Sequence, residues 1–510
     1  MFQVNRIIRY PECAMPKSPY ISKSKFLSGL QCPKLLWNVY NAKDLIPEPD
    51  AAQQAIFDQG HQVGELAKRL YPGGIEIEGD VYDFDEILSR SRQALEQRRP
   101  LYEAAFTFNG GFARVDILNP VGSDAWDIIE VKSGTEAKDV NLLDLAFQSF
   151  VYTGAGLKIR RCGLMHVNRD YVRRGEVDPK KFFKVVDVTK DVSGLSREIE
   201  PQLEAMFSVI RRKQEPEVKI GPHCSDPYPC PLQDRCWAFL PPDSVLNLYY
   251  GGKKGWRLLG DGILRLKDIP EGIDLTDRQT IQRKVALTGQ PHIDRKALAS
   301  FLKRLKYPVG YLDFETYSTA IPLFDGLTPY QQVPFQYSLH SVTAPGAKPE
   351  HHAFLADGHG DPRPEFLNHL RDSIGDTGTV IVYNEKFEKG VLAKLAEAFP
   401  EHAGWIENVK HRIIDLLEPF QSFDYYHPDQ QGSASIKSVL PVLTGRSYAD
   451  LEIKEGGQAS IEYLRVHFGD VPAAERHKVR KQLERYCGQD TEGMIWIVDA
   501  LLSHLTAGSS

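Results

Sequence analysis

Stretches with the two-residue period of a strand alternate along this chain with stretches that have the longer period of a helix. Residues 112–118 and 127–132 are rich in apolar and β-branched side chains, with turn chemistry at 119–124 between them. This pattern predicts two neighbouring strands joined by a short loop. By the same criteria, further strands are predicted over 161–166 and 182–188, and helices over 57–70, 84–98, 142–155 and 193–213.

A second series of strands and helices begins near Tyr307. The segment 309–316 is predicted to be a strand, with Leu312 and Phe314 on one face and Asp313 and Glu315 on the other. Asn384 is the predicted N-cap of a helix. Strands are also predicted over 332–342, 379–383 and 413–417, and helices over 364–374, 384–392, 435–443 and 473–502.

Length and composition favour a soluble globular protein of more than one domain. The chain has 510 residues, 42% of them hydrophobic and 25% charged. It contains no apolar run of about 18 residues and no signal-peptide pattern at its start, so we expect a cytoplasmic protein without a membrane span. Residues 1–20 read as an irregular, proline-containing tail, and we hypothesise that translation starts at Met15, which an intact mass would test.

The net charge of −6 offers no overall attraction to nucleic acid, so any contact must use local basic patches. Residues 241–305 differ from the rest of the chain in this respect: between 251 and 310, thirteen Lys and Arg stand against six Asp and Glu. A basic connecting segment could bind a nucleic-acid backbone, and a solvated helical linker is an equal alternative.

Glu130 and Lys132 lie two residues apart on a predicted strand and therefore share a face, which Asp116 on the neighbouring strand can approach. Two carboxylates and an ammonium suit a Mg²⁺ ion, a water nucleophile and a phosphodiester. The alternative is a solvent-facing hairpin with a surface ion pair.

Acidic residues also pair by spacing in the second half. Asp313 and Glu315 project together from one strand, Glu388 shares a helical face with Asn384, and Asp490 shares one with Tyr486. Four converging carboxylates would repel one another unless two cations about 3.5–4 Å apart lay between them.

The cysteines are read as thiols or metal ligands because the expected compartment is reducing. Cys224, Cys230 and Cys236 follow one another at six-residue intervals, and Cys32 lies far upstream.

With these residues in order, the first half resembles the PD-(D/E)XK nucleases, and more closely the RecB-like branch that includes the iron–sulfur exonucleases of CRISPR adaptation. The resemblance implies metal ligation by His61, Asp116 and Glu130. It also implies that Lys132 positions water or the scissile phosphate, and that Gln148 and Tyr152, four residues apart on one helix, orient the site and touch substrate.

The resemblance further implies that Cys32, Cys224, Cys230 and Cys236 hold a [4Fe–4S] cluster. Zn²⁺ remains the minority alternative, because the spacing lacks close Cys-x-x-Cys pairs.

The second half resembles the DEDD exonucleases, which are DnaQ-like proofreading enzymes of the RNase H-like fold. Asp313-Phe-Glu315 matches the first motif, and Tyr486-Cys-Gly-Gln-Asp490 matches the third. Glu388 departs from the Asp usual in the second motif, and its extra methylene moves the carboxylate by roughly 1–1.5 Å. The resemblance implies that the four acids hold Mg²⁺ or Mn²⁺ and that Tyr486 orients the attacking water.

The expected fold is therefore α/β, with a PD-(D/E)XK restriction-endonuclease-like domain carrying an iron–sulfur clasp followed by an RNase H-like exonuclease domain. After the tail at 1–20, the order of a domain at 21–240, a basic connector at 241–305 and a domain at 306–505 resembles that of an uncharacterised bacterial family.

The expected function is a metal-dependent nuclease with two active sites, the second a 3′→5′ exonuclease. DNA is the preferred substrate, and RNA stays open. The alternative is a catalytically degenerate, nucleic-acid-binding or redox-sensing protein in a repair or defence complex. A third interpretation is a structural partner of a helicase, since the chain has no Gly-x-x-x-x-Gly-Lys-Ser/Thr loop of its own.

Overall fold

The computed structural model describes residues 19–79 and 84–506 of a mixed α/β protein with several mixed sheets and many helices. The start at Met15 and almost all of the tail expected at 1–20 lie outside the described residues. The chain divides into two compact units. The first comprises Met1–Pro47, Gly60–Asn168 and Asp178–Gln233, and the second comprises Glu48–Gln59, Arg169–Val177 and Asp234–Ser510.

The first unit is built from short strands and helices in alternation. Its elements, including α3, which begins in the second unit, are β1 (Ile21–Ser22), α1 (Lys23–Gln31), α2 (Pro33–Asn41), α3 (Ala51–Lys68), β2 (Ile75–Glu76), α4 (Phe84–Leu95), β3 (Leu101–Tyr102), β4 (Ala105–Phe108), β5 (Gly111–Arg114), β6 (Ile117–Val121), β7 (Ala125–Lys132), α5 (Asp139–Gly154), β8 (Lys158–Val167), α6 (Pro179–Phe182), β9 (Phe183–Asp187), α7 (Thr189–Leu195) and α8 (Ile199–Ile210).

A six-stranded sheet in the order β2-β3-β6-β7-β8-β9 organises this unit, beside a three-stranded sheet in the order β1-β5-β4. The β7 strand pairs antiparallel with β6 and parallel with β8, and its first six residues are buried. Helix α5 packs over the core with the buried rings of Phe147 and Tyr152. The apolar character of β7 reflects burial on both faces, which a parallel neighbour with a helical crossover requires.

The strand predicted over 112–118 is two strands, β5 and β6, separated at Val115 and Asp116. The predicted turn at 119–124 is shorter, because Asn119, Pro120 and Val121 pair with β7 and only 122–124 turn. The helix predicted over 193–213 is likewise two helices, α7 and α8, joined by a 3₁₀ turn. Period alone did not reveal either interruption, because apolar residues resume on both sides of each break.

The second unit contains a short connecting helix, α9 (Gln233–Trp237), at its boundary and a longer series beyond it. These elements are α10 (Gly252–Gly260), α11 (Asp277–Thr288), β10 (His292–Ile293), α12 (Arg295–Leu302), β11 (Val309–Tyr317), β12 (Val333–Val342), β13 (Glu350–Leu355), α13 (Arg363–Ile374), β14 (Thr379–Val382), α14 (Glu385–Ala398), α15 (Ala403–Arg412), β15 (Ile413–Asp415), α16 (Glu418–Gln421), β16 (Tyr425–Tyr426), α17 (Ile436–Thr444), α18 (Gly456–Phe468) and α19 (Ala473–Thr506).

Its main sheet has the order β13-β12-β11-β14-β15, with β11 at the centre. The β11–β12–β13 pairs are antiparallel, whereas β14 and β15 run parallel to β11. The register of β11 against β12 shifts between Glu315 and Thr316. Helix α19 packs on the sheet through Leu483, Met494 and Ile497, which are fully buried.

Residues 241–305, predicted as a basic connecting segment, fall within the second unit. This segment contains its own small apolar cluster around Val245, Leu258 and Leu266, closed by α10 and α11. Within the described residues, no helix combines the length and apolar character needed to cross a membrane.

Candidate functional site

The acids of the second unit meet at the centre of its sheet. Asp313 and Glu315 lie on β11, and Asp490 lies on α19, which packs across that strand. Burial raises the pKa of Asp313, and the charge of Asp490 raises it further. Burial, Asp313 and Asp490 likewise raise the pKa of Glu315. The sheet and helix therefore hold together acids that repel one another.

Asp490 is fixed by a phenol that the sequence did not reveal. The Tyr448 hydroxyl donates to Asp490 Oδ1 at 2.5 Å. Burial raises the pKa of Asp490, and the hydrogen bonds from Tyr448 and Tyr486 oppose that rise. Burial also raises the pKa of Tyr486, so its phenol is neutral at pH 7 and can donate a hydrogen bond.

Glu388 faces the same acids from the first turn of α14. Its side chain is 1% exposed, and burial together with the charge of Asp313 raises the pKa of Glu388 to about 9. Its Oε2 atom is buried without a hydrogen-bond partner among the described residues. A buried carboxylate oxygen with an open acceptor position suits a cation.

Asn384 occupies the N-cap position of α14 in the left-handed region, with φ of +87°, but its side chain makes no capping hydrogen bond. The Asp415 carboxylate on the neighbouring strand does the capping, accepting from the backbone N–H groups of Asn384 at 2.9 Å and Glu385 at 3.1 Å. The expected cap by the Asn384 side chain was therefore wrong: the Asp415 carboxylate is the acceptor, and Asp415 is a structural acid.

Cys487, directly after Tyr486, also lies beside the acids and was not among the predicted ligands. Its sulfur lies 3.7 Å from Asp313 Oδ2, and one donor atom each of Asp313, Glu315 and Cys487 lie within 4.8 Å of one another. Its position directly after the tyrosine of the third motif was the available signal.

An open cavity of about 450 Å³ gives access to these groups. Tyr486 and Gly456 are among its lining residues, together with Asp313, Glu315 and Asp490. The acids at its floor are thus accessible to a ligand from outside.

In the first unit, Glu130 is the centre of a compact charged network. Its Oε1 accepts from Lys132 Nζ at 2.7 Å and from Lys23 Nζ at 2.6 Å, and its Oε2 accepts from Gln148 at 2.7 Å. Burial alone would raise the pKa of Glu130, but the Lys132 and Lys23 ammoniums outweigh burial and hold it well below its usual range.

Asp144 completes this network from α5. It accepts from Lys132 at 2.7 Å and from Gln148 at 2.9 Å. Neither Asp144 nor Lys23 was among the residues predicted from the sequence. Asp144 lies four residues before Gln148, so helical spacing could have indicated it, whereas nothing local indicates Lys23, which is 107 residues from Glu130.

Asp116 lies in the break between β5 and β6, and its Oδ2 accepts from the Val131 N–H at 2.6 Å. Burial raises the pKa of Asp116, and the charge of Glu130 adds to that rise. Burial followed by Glu130 also raises the pKa of Asp144. Three carboxylates against two ammoniums leave an excess negative charge here.

Tyr152 is fully buried and is a positioning residue. Its hydroxyl donates to the Ala104 carbonyl and accepts from the Val115 N–H at 3.0 Å, next to Asp116. The expected contact of Tyr152 with substrate is incompatible with that burial. Gln148 is also fully buried, and its Oε1 has no hydrogen-bond partner among the described residues.

His61, a predicted metal ligand, makes no described contact with the Asp116 and Glu130 network. It is exposed on α3. Within residues 19–79 and 84–506, no hydrogen bond or ion pair joins it to Asp116 or Glu130. The predicted role of His61 as a metal ligand is therefore not supported by a contact with these acids.

Three of the four predicted cluster cysteines lie in the first unit and are buried: Cys32 at the end of α1, Cys224 and Cys230. The Gln31 side chain donates to the carbonyls of His223 at 2.9 Å and Tyr228 at 2.7 Å, which holds the end of α1 against the loop carrying Cys224. The Cys230 N–H donates to the Cys224 carbonyl at 2.8 Å. Cys236 is on α9, half-buried. Thiolates are the donors that zinc and iron–sulfur clusters take, but these four sulfurs do not form a group within 4.8 Å of one another among the described residues, so the cluster ligand set stays a prediction.

Comparison with known proteins extends to part of the chain. Residues 310–435 match a domain of unknown function, DUF2779. The chain is 26% identical over 229 residues to the "Uncharacterized protein MG366 homolog" of Mycoplasma pneumoniae, covering 40% of this chain and 34% of that protein. It is 26% identical over 215 residues to the "Uncharacterized protein MG366" of Mycoplasma genitalium, covering 38% and 32%. The chain thus matches about a third of the length of these curated relatives.

Proposed function

We propose that this protein is a metal-dependent nuclease that hydrolyses phosphodiester bonds of nucleic acid, with DNA preferred, and that each unit carries one active site. The second unit is proposed to be an RNase H-like DEDD exonuclease acting 3′→5′. The first is proposed to be a RecB-like PD-(D/E)XK nuclease.

The observation that carries the proposal is the gathering of Asp313, Glu315, Glu388 and Asp490. These acids come from three elements far apart in sequence, yet Asp490 raises the pKa of Asp313, Asp313 raises the pKa of Glu388, and all three raise the pKa of Glu315. Such repulsion opposes folding and is relieved when a cation binds between the carboxylates. Buried acids that repel one another in the metal-free state are typical of sites for metal-assisted chemistry.

At this site Mg²⁺ or Mn²⁺, when bound, lowers the pKa of a water ligand and neutralises phosphate charge. The ions would be held by four acids, Asp313, Glu315, Glu388 and Asp490. The neutral Tyr486 phenol orients the attacking water, and Tyr448 keeps the Asp490 carboxylate in place. The open cavity admits the end of a strand.

In the first unit Asp116, Glu130 and Asp144 would hold the ion, because their excess negative charge and the open Gln148 Oε1 acceptor suit a cation. Lys132 then faces the phosphate as charge develops on it. Lys23 already bonds Glu130 Oε1, so a cation that uses this oxygen competes with the Lys23 ammonium.

For the four cysteines we propose a [4Fe–4S] cluster, with Zn²⁺ as the minority alternative. Protein purified without oxygen should be brown and contain about four irons per chain. Serine at Cys32 or Cys224 should abolish the iron, and metal analysis that finds only zinc would contradict the cluster.

Degradation of single-stranded DNA labelled at either end tests the nuclease proposal. Asp313→Asn should reduce 3′→5′ shortening by about 100-fold or more, since removing a metal ligand forfeits several kcal/mol of transition-state stabilisation. Adding Asp116→Asn to this variant should remove the nuclease activity that the first unit contributes. Asp429→Asn and Asp124→Asn, which alter exposed acids, are matched controls.

The alternative, a degenerate protein that binds nucleic acid without cleaving it, predicts a different result. Wild-type protein would then retard the same oligonucleotides on a gel and leave them intact with Mg²⁺ or Mn²⁺. That outcome would refute the nuclease proposal. A helicase or a repair or defence complex is the proposed context in either case.

A further inference from the structure

A second cavity, of about 580 Å³, continues from the acidic cleft of the second unit. Tyr383 and Ile436 line both cavities and form the boundary between them. Beyond this boundary the second cavity is lined by Tyr249, Tyr250 and Gln421, among others. Anything that extends out of the acidic cleft in this direction passes these tyrosines.

Tyr250 has an unusual environment for an aromatic residue. Its side chain is 84% exposed, and its backbone has a φ of +47°. The left-handed region is unfavourable for a bulky side chain, and such residues cluster at functional sites. Burial of the ring does not compensate for this backbone conformation. The exposed ring and the left-handed backbone together mark Tyr250 as a candidate contact residue.

Tyr250 contacts a group of packed aromatic rings. Its ring centroid lies 4.6 Å from that of Tyr249, at 85°. Tyr249 lies 4.7 Å from Phe423, which has a φ of +62° and stacks on Tyr426 at 4.3 Å and 3°. Tyr250 therefore meets its aromatic neighbour edge to face, and its exposed ring can serve as a preorganised platform for stacking.

Cations flank this platform and the cleft. The Arg278 guanidinium lies 5.8 Å from the Tyr249 ring. Lys253 is exposed at the start of α10, just after Tyr250. At the cleft, Lys437 Nζ lies 5.8 Å from the Tyr486 ring, and its charge opposes the pKa rise of Asp490. Positive charge thus lies at both ends of the path between the tyrosines and the acids.

We propose that this path binds single-stranded nucleic acid, with an unpaired base stacked on Tyr250 and the backbone running past Arg278 and Lys437 into the acidic cleft. Aromatic rings with neighbouring cations are the usual means of holding single strands, because every base offers a π-face and every phosphate a charge. A duplex does not present its base faces. The inference rests on the proposed function, for which it specifies the substrate.

The test uses the full-length chain carrying Asp116→Asn and Asp313→Asn, so that the probe stays intact. Fluorescence anisotropy measures the binding of a labelled thymidine oligonucleotide of about 12 nucleotides, a length within the usual site size. A second probe has the same sugar–phosphate backbone without bases. In this background, Tyr250→Ala should weaken binding of the thymidine probe by about 5- to 150-fold.

The same variant should change binding of the abasic probe by less than about twofold, because the lost contact is to a base. The Tyr250→Phe variant should bind the thymidine probe as tightly as the protein with Tyr250. Phe239→Ala, which removes another exposed ring, should leave the affinity for this probe unchanged. A probe carrying 5-iodouracil should cross-link to Tyr250 on irradiation.

Three results would overturn the inference. The protein with Tyr250 intact could bind neither probe, or Tyr250→Ala could bind the thymidine probe with unchanged affinity. The third is that Tyr250→Ala weakens the binding of both probes equally. Its failure is separable from that of the nuclease proposal. Base-dependent binding at Tyr250 without any cleavage refutes catalysis alone, whereas cleavage that is indifferent to Tyr250 refutes the platform alone.

Discussion

Glu388→Gln should stabilise the metal-free protein, and the gain should depend on pH. The pKa of Glu388 is raised from 4.5 to about 9 by burial and by Asp313. The folded state therefore binds the proton more tightly than the unfolded state does. It follows that Glu388 costs no stability below about pH 4.5, and that the cost grows as the pH rises towards about 9.

The size of this cost follows from the same values. At pH 7 the folded group is protonated, and keeping it so costs about 3 kcal/mol relative to the unfolded chain, at 1.36 kcal/mol per pH unit above 4.5. At pH 5 the cost is below about 1 kcal/mol. Glutamine has nearly the same shape and cannot ionise, so the variant should recover these amounts.

Urea unfolding with EDTA, at several values between pH 5 and pH 8, measures the effect. Glu397→Gln, on the exposed face of the same helix, is the matched control and should change stability by less than about 0.5 kcal/mol at every pH. Added Mg²⁺ should stabilise wild type more than Glu388→Gln. An equal gain at pH 5 and pH 8 would show that packing, and not ionisation, is responsible, and would refute the reasoning.

Three further predictions concern residues that the sequence did not single out. Tyr448→Phe removes the hydrogen bond that opposes the raised pKa of Asp490, so the acidic limb of the activity–pH profile should move up by about 1–2 pH units; an unmoved limb would contradict this. Lys23→Met leaves Glu130 with one ammonium fewer and should lower the free energy of unfolding by about 1–3 kcal/mol, because Lys132 still compensates the carboxylate. Mg²⁺ should restore more of that stability than it adds to wild type, and equal Mg²⁺ effects would exclude competition between the two cations. Cys487→Ser should weaken Cd²⁺ binding, measured by calorimetry, by at least about tenfold, because thiolate is the soft donor of the Asp313 group; unchanged affinity would place Cd²⁺ elsewhere.

Much of the secondary structure could be predicted, because the period of apolar and polar residues in each strand or helix depends only on residues close together in the sequence. The strand predicted over 332–342 spans Val333–Val342, and the helix predicted from 473 begins there and continues to Thr506. The errors lie where a strand or helix is interrupted without a change of period, as at Asp116 between β5 and β6. Such breaks depend on which strand the segment pairs with, and pairing is a long-range property.

The candidate sites divide in the same way. Spacing alone placed Glu130 with Lys132 and Asp313 with Glu315, because residues two apart on a strand share a face. Only the tertiary structure brought Lys23 to Glu130 and Tyr448 to Asp490, across 107 and 42 residues. The chain by itself determined which side chains face together within one element. Packing between elements decided which charges are compensated, because ion pairs and pKa values depend on distances in space that no local pattern encodes.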